Sequence, residues 1–356
     1  MASSRRAVLD TDIRHLHELR DESSRALAAA IGPCRDVALV DVPNQIDVGD
    51  SLIWAGEMAY LRALGLRVRY VSDLHGYEPK SLRRALGSGA VLIHGGGNFG
   101  DLWLGHQAHR ERVARDLPDH RIVQLPQSVY FQSRERAAEA NRILGAHPNF
   151  HLLARDRASL ARAATDLPDV VASFCHDMAF GWNAPAWTAP TAGEPRILVI
   201  ARADHESASG LSTLPPDWLP GARLQITDWD ELGLADGAGR RARRVADAQH
   251  RIARLARRVP PLRWPGLQAS IRRTLAHINA DNIAGGVGLY DTAAGVMTDR
   301  LHAHVIAALR GVPHVLLDNS YGKLAAVYDA SSHGFSSAHR AATLDEAREL
   351  LLRLRD

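Results

Sequence analysis

The sequence predicts an α/β protein built from two Rossmann-like domains, each a parallel sheet covered by helices. Three observations predict it. From Pro33 onward, short runs of continuous apolar residues alternate with longer amphipathic stretches. That is the pattern of strands buried on both faces and connected by helices. The chain has 356 residues, about twice the roughly 150 of a usual domain. Finally, the segment 182–195, WNAPAWTAPTAGEP, carries three prolines among small residues and reads as a linker. The expected division is an N-terminal α/β domain over 1–181, the linker, a C-terminal α/β domain over 196–330, and a C-terminal helical tail over 331–356.

The elements follow in order. Ile13, Leu16, Leu19 and Leu27 predict an opening helix over 12–30. A strand is expected at 37–40, then a helix at 51–64 closed by Gly65. Further strands are expected at 68–71, 90–93, 122–125 and 152–154, with helices near 101–116, 134–145 and 157–164. After the linker, strands are expected at 197–200, 224–226, 295–298 and 315–317. Two such sheets place a cleft at the carboxyl ends of both sets of strands, where ligands bind in open α/β sheets.

Composition excludes several classes. A net charge of +3 gives no basis for a nucleic-acid partner, and two cysteines, Cys34 and Cys175, build neither a disulfide framework nor a four-cysteine zinc site. No stretch approaches the roughly 20 apolar residues of a membrane span. The amino terminus has arginines without an apolar core behind them, so a cytoplasmic location is expected. The stretch 240–258 is strongly basic. It reads as a solvated helix face, or as a surface that touches anionic headgroups or a lipid diphosphate at the inner membrane. Only Lys80 and Lys323 are lysines.

The polar residues at strand ends are the candidates for chemistry. Asn44, Asp47 and Asp50, in NQIDVGD, follow the first strand; Asp50 is either the N-cap of the next helix or a carboxylate facing the cleft. His94-Gly95-Gly96-Gly97-Asn98 follows another strand, and its glycines let backbone amides approach an anion. Gly95, Gly97 and Gly100 match the dinucleotide fingerprint, but no acidic residue follows at the expected distance; no Gly-x-Ser-x-Gly elbow accompanies the loop either. Gln127 lies in LPQS, and Arg155 precedes Asp156, with which it could form an internal ion pair. The most informative segment is TDRLHAHVIAALRGVPHVLLDNSYGK, residues 298–323. Thr298 or Asp299 is expected to cap a helix whose first turn carries Arg300 and His302. Arginine there opposes the helix dipole, a conflict that a bound phosphate or carboxylate relieves. The following strand delivers Asn319, Tyr321 and Lys323. Asp299, His302 and His304 are a weak metal set, because no second cluster completes it.

Together, N-x-x-D-x-G-D, HGGGNFGD, LPQS, ARD, HDMAF and TDRLHAH…GVPHVLLDNSYGK resemble the polysaccharide pyruvyl transferases, over roughly residues 36–329. The resemblance implies a GT-B-like arrangement with the active site in the interdomain cleft. It implies phosphoenolpyruvate as donor, no further cofactor, and a pyruvate ketal formed on an oligosaccharide or lipid-diphosphate-linked sugar of exopolysaccharide assembly. By the same resemblance Arg300 and His302 handle the donor, and Asp50 belongs to the acceptor-facing half. A mechanism that protonates the donor's methylene carbon makes His302 the expected proton donor or relay, with Asp50 as the second catalytic candidate. Arg202 sits where the resemblance expects a donor-binding arginine, with Arg155 competing for that role. Lys323, Asn319 and Tyr321 are further donor candidates, and Asn44, Asp47, Gly95, Gly96, Gly97, Asn98 and Gln127 are candidates for the acceptor side. The rival readings are a nucleotide-sugar glycosyltransferase of the same architecture and a non-catalytic binder of anionic carbohydrate.

Overall fold

The computed structural model describes residues 2–188, 195–202, 209–229, 244–245, 247–249, 251–252, 266–318 and 322–355. The first part runs α1 (Ala2–Ile31), β1 (Asp36–Val40), α2 (Val48–Ala63), β2 (Arg67–Val71), α3 (Pro79–Leu86), β3 (Ala90–Ile93) and β4 (Gly96–Gly100). It continues with α4 (Leu104–Asp116), β5 (Ile122–Tyr130), α5 (Arg134–Gly145), β6 (Phe150–Ala154), α6 (Arg157–Asp166), β7 (Val171–Phe174) and a 3₁₀ turn at Met178–Gly181. The second part holds β8 (Arg196–Ile200), β9 (Arg223–Thr227), α7 (Leu267–Gly288), β10 (Gly295–Thr298) and α8 (Leu301–Arg310). It closes with β11 (His314–Leu317), α9 (Lys323–Val327), β12 (Ala338–Ala341) and α10 (Leu344–Arg355).

Both sheets are parallel throughout, as two Rossmann-like units require. The first has the order β2-β1-β3-β5-β6-β7, with β4 also pairing β5; the second has the order β12-β11-β10-β8-β9. In each, the first strand is flanked by the second on one side and by the next on the other. Chain direction across the sheet therefore reverses between β1 and β3, and again between β8 and β10. Such switch points open a crevice at the carboxyl ends of the strands, because the two connections leave on opposite faces. The strands that form them, DVALV, AVLI, RILVI and GVMT, are almost wholly buried. Helices cover them on both sides, which removes water from every ladder.

One core joins the halves. Leu39, Val48, Leu52 and Ile53 share a continuous apolar cluster with Leu198, Ile200, Val296 and Leu301. Helix α1 reaches both ends: Arg20 Nε donates to Phe180 O at 2.9 Å, and Asp12 accepts from Ser336 N at 2.9 Å.

The structure corrects several expectations. Helix α2 starts at Val48 and is capped by Asp47, whose carboxylate accepts from Asp50 N at 2.9 Å. Asp50 is therefore inside the first turn and not the cap. The glycine-rich segment is a strand, β4, rather than a turn into a helix, and α4 begins only at Leu104. Gly100 takes φ +128°, and a Cβ there would stand 1.7 Å from Tyr130 O; only glycine lets the strands approach so closely. The supposed helical tail contains β12, which pairs with β11 and completes the second sheet. Of the linker, 189–194 lie outside the described residues, and Pro185 O accepts from Arg310 Nε at 3.1 Å. The basic stretch is helical at 244–245, 247–249 and 251–252, and the rest lies outside the described residues. Among the described residues no helix is long and apolar enough to cross a membrane.

Helix α2 is pinned to the turn after β7 by Gly56, where a Cβ would stand 1.8 Å from the Met178 carbonyl oxygen. Gly56→Ala should therefore cost roughly 3 kcal/mol, the upper range for overpacking, because the obstacle is backbone. Urea unfolding checks this, and an unchanged midpoint would contradict the packing.

Candidate functional site

The two switch points face one pocket of about 200 Å³. From the first sheet it receives Asp47, Gly49 and Asp50 after β1, Gly97 and Asn98 after β3, and Arg155 after β6; from the second it receives Arg202 after β8, Arg300 and His302 after β10, and Lys323. Four cations thus converge on a space that also holds the carboxylates of Asp47 and Asp50. Asn319 and Tyr321 lie outside the described residues. Asn44 lines an adjoining smaller cavity.

The amino end of α8 forms the floor. Its N-cap is Arg300, in extended conformation and without a side-chain cap, so the amides of its first turn stay available. Thr298 Oγ1 instead accepts from Arg300 N at 3.0 Å and donates to Ile200 O at 2.7 Å, locking the loop. Asp299 is not the cap either: it accepts from Arg202 N at 2.8 Å and Ser209 Oγ at 2.6 Å, tying β8 to β10. An uncapped helix amino terminus carries a partial positive charge, which favours an anion.

Two of the cations, Arg300 and Arg155, are held by carboxylates whose pairing the sequence did not reveal. Arg300 grips Asp228, at the end of β9, with Nε at 2.5 Å from Oδ1 and Nη2 at 2.5 Å from Oδ2. Only Nη2 donates a hydrogen bond, Nε being buried without a hydrogen-bond partner, so one hydrogen bond and the opposite charges hold the guanidinium beside the pocket. Arg155 does not pair with Asp156, which instead caps α6 by accepting from Ser159 N at 2.6 Å. Arg155 Nη1 donates to Asp177 at 2.8 Å, and both side chains are about 2% exposed or less. The same Asp177 Oδ2 stands 3.5 Å from His302 Nε2. Burial opposes the charge on Asp177, but the contact with His302 and the field of Arg155 prevail, holding the carboxyl well below its ordinary range. Asp177 sits in HDMAF, and the signal that could have singled it out is its position as the cap immediately before a tight turn, whose Ala179 amide it accepts from at 2.8 Å.

His302 is wedged between the halves. With Nε2 toward Asp177, its Nδ1 lies against the first turn of α2, 2.5 Å from where a Cβ on Gly49 would stand. Asp50, one residue on, is pushed up to about 6 by burial and then by the neighbouring Asp47 carboxylate. It therefore exchanges a proton near neutrality, as an acid–base group must.

The glycine loop works from behind. Gly97 brings its backbone against the cations, for a Cβ there would stand 3.2 Å from Arg155 Nη2 and 3.9 Å from Lys323 Nζ. Gly95 N donates to Glu57 at 2.9 Å, and Gly96 adopts φ +130°. Gln127 supports the loop rather than lining the pocket, accepting from Asn98 N at 3.1 Å and donating to Asn98 Oδ1 at 3.0 Å. His304 is buried, with Nδ1 2.7 Å from His314 Nε2 and Nε2 2.6 Å from Ser332 Oγ. Among the described residues no group of three or more His, Cys, Asp or Glu could hold a metal ion.

Removing the shared carboxylate with Asp177→Asn leaves Arg155 buried without its counter-charge, which should destabilise the fold by roughly 3 kcal/mol at neutral pH. Because Asp177 is held ionised below its unfolded value, its contribution is complete above about pH 4 and drains away as pH falls through the lower folded value. The gap between wild type and variant should therefore narrow in acid. Urea unfolding across pH 3–7 measures it, and a constant gap would contradict the assignment.

Comparison with known proteins places this geometry. A family model described as polysaccharide pyruvyl transferase matches residues 47–321, which include the pocket residues named above after β1, β3, β6, β8 and β10 but not Lys323. Pyruvyl transferase 1 of Schizosaccharomyces pombe is 30% identical over 318 residues, covering 84% of this chain and 70% of that protein. The crystal structure of a functionally uncharacterized protein from Klebsiella pneumoniae shares the fold, with a TM-score of 0.53 at 14% identity over 91% of this chain and 99% of that one. The chain belongs to the polysaccharide pyruvyl transferase family.

Proposed function

We propose that the protein transfers pyruvate from phosphoenolpyruvate to a sugar of an exopolysaccharide, or of its lipid-linked precursor, forming a pyruvate ketal. In this reading the two halves make a GT-B-like arrangement, with the reaction in the pocket between them. The observation that carries it is the convergence of Arg155, Arg202, Arg300 and Lys323 on the uncapped amino end of α8. Phosphoenolpyruvate has two anionic groups on three carbons, and four cations plus free helix amides match that charge density. The sign of the pocket favours this small anion over a neutral ligand.

His302 donates a proton to the methylene carbon of the donor, making C2 an oxocarbenium-like electrophile. An acceptor hydroxyl attacks C2 and Asp50 takes its proton. Phosphate then leaves, its growing charge met by Arg300, Lys323 and the α8 amides. A second hydroxyl of the same sugar attacks the C2 cation left by phosphate and closes the ketal, and His302, deprotonated in the first step, takes its proton. Asp177 positions His302 and Arg155 together, so that proton donor and cation keep one geometry.

The test is incubation with phosphoenolpyruvate and a lipid-linked oligosaccharide extract, following phosphate release and the mass gain on the glycan. His302→Ala should lower kcat by about 10²–10⁴-fold in a protein of unchanged circular dichroism. Retention of most activity would remove His302 from proton transfer, and inhibition by UDP rather than turnover of phosphoenolpyruvate would favour a glycosyltransferase.

Asp50 generates a second expectation. As the acceptor of a hydroxyl proton it must be ionised, so kcat/KM should rise with pH through an apparent value of about 6. Asp47→Asn removes one of the two influences that raise it, so this limb should move to lower pH. A limb that stays in place would contradict the role of Asp50.

A further inference from the structure

Beside the cationic pocket lies a smaller cavity of about 120 Å³ lined by carboxylates, histidines and amides rather than by arginine and lysine. Asp41, Asp50 and Asp73 line it, together with Asn44, His94 and His106. Gln45, Asp50, Asn98 and His106 line both spaces, so the two adjoin along that wall. Its three carboxylates face three histidine rings, His75, His94 and His106, the last 2.9 Å from Asp41, so it lacks the cluster of cations that the donor needs. The cavity also contains polar atoms that the protein does not satisfy. His94 is 2% exposed; its Nδ1 is 2.9 Å from Glu57 Oε2, while its Nε2 is buried without a partner. Asn44 donates through Nδ2 to Asp73 at 2.8 Å, and its Oδ1 is likewise buried and unpartnered. An unmet donor and an unmet acceptor facing one small space are costly unless a ligand meets them. Burial lowers the basicity of His94, but the Glu57 carboxylate outweighs it and raises the ring to about 9, so Nε2 carries a hydrogen to donate.

At the other side of the shared wall stands Trp103, the residue before α4, 47% exposed and lining the main pocket. An indole so exposed offers a flat apolar face beside polar groups, the combination that suits a ring with one C–H face and hydroxylated edges.

We propose that Trp103 and the Asn44–His94 cavity form the acceptor subsite, which takes one neutral pyranose ring: Trp103 packs on its C–H face, Asn44 Oδ1 accepts from one hydroxyl and His94 Nε2 donates to another. The proposal rests on the pyruvyl-transfer reading and adds the site and class of its second substrate. It places Asp50 at the boundary between the cationic pocket and the ring, where an attacking hydroxyl must lie. The hydroxyls it selects are those that reach past Asp50, while the rest of the ring stays among the carboxylates.

The experiment uses the full chain with phosphoenolpyruvate and a panel of aryl β-pyranosides (galactoside, glucoside, mannoside, N-acetylglucosaminide). Acceptor KM is read from pyruvylated product by mass spectrometry. Donor affinity is read separately by calorimetry without acceptor, and ring contact by saturation-transfer NMR. Trp103→Ala and Asn44→Leu should each raise acceptor KM by about tenfold or more, the size of one lost stacking or hydrogen-bonding contact. Donor affinity should stay within twofold, and Trp103→Phe, which keeps an aromatic face, should recover most of the acceptor affinity that Trp103→Ala loses. Unchanged acceptor KM in both variants, or no pyranoside contact that Trp103→Ala abolishes, would overturn the subsite. Absence of phosphoenolpyruvate binding in wild type would instead sink the pyruvyl-transfer reading, and the NMR contact would still decide the subsite.

Discussion

The site depends on one buried carboxylate. Asp177 lies at the end of the first sheet, holds Arg155 at 2.8 Å and stands 3.5 Å from His302 of the second. Without it two polar side chains from different sheets would meet at a boundary with nothing to set their distance. Its charge is itself costly to bury, and His302, Arg155 and the Ala179 amide make ionisation favourable. The shared apolar core brings the halves together without direction; Asp177 supplies the direction.

Around that contact the fold repeats one device. Both sheets reverse between their first and third strands, and both present the resulting crevice to the same space. The ends of β1 and β3 bring carboxylates and a close glycine backbone, while those of β8 and β10 bring cations and the free amides of α8. The pocket is thereby polarised, cationic toward the second sheet and acidic toward the cavity beside β1.

Much of the fold was readable because burial leaves a direct trace. Strands such as AVLI and RILVI are apolar on both faces, and a parallel sheet is the arrangement that buries both. What escaped had no such trace. Strand β4 is GGNFG, a poor strand by propensity, made possible by the close approach of Gly100 to Tyr130. Strand β12, AHRA, carries two polar residues and belongs to the sheet only through its pairing with β11. At the site, His302, Asp50, Arg155, Arg202, Arg300 and Lys323 stood out as polar groups at strand ends, and all of them reach one pocket. Their partners did not stand out. Asp228 and Asp177 lie 72 and 125 positions from Arg300 and His302, and no local pattern records a contact over such a distance. The caps were misplaced for a related reason: Asp47 and Asp50 can each cap α2 by spacing, and only the backbone geometry chooses Asp47.

The account stands on the claim that the amino end of α8 receives the phosphate of a small, doubly charged donor. A crystal structure of the protein soaked with phosphoenolpyruvate measures this directly. The expected density has the phosphate on the amides following Arg300, within hydrogen-bonding distance of Arg300 and Lys323, and the methylene carbon beside His302. Density elsewhere on the molecule, or an empty pocket at saturating donor, would contradict it.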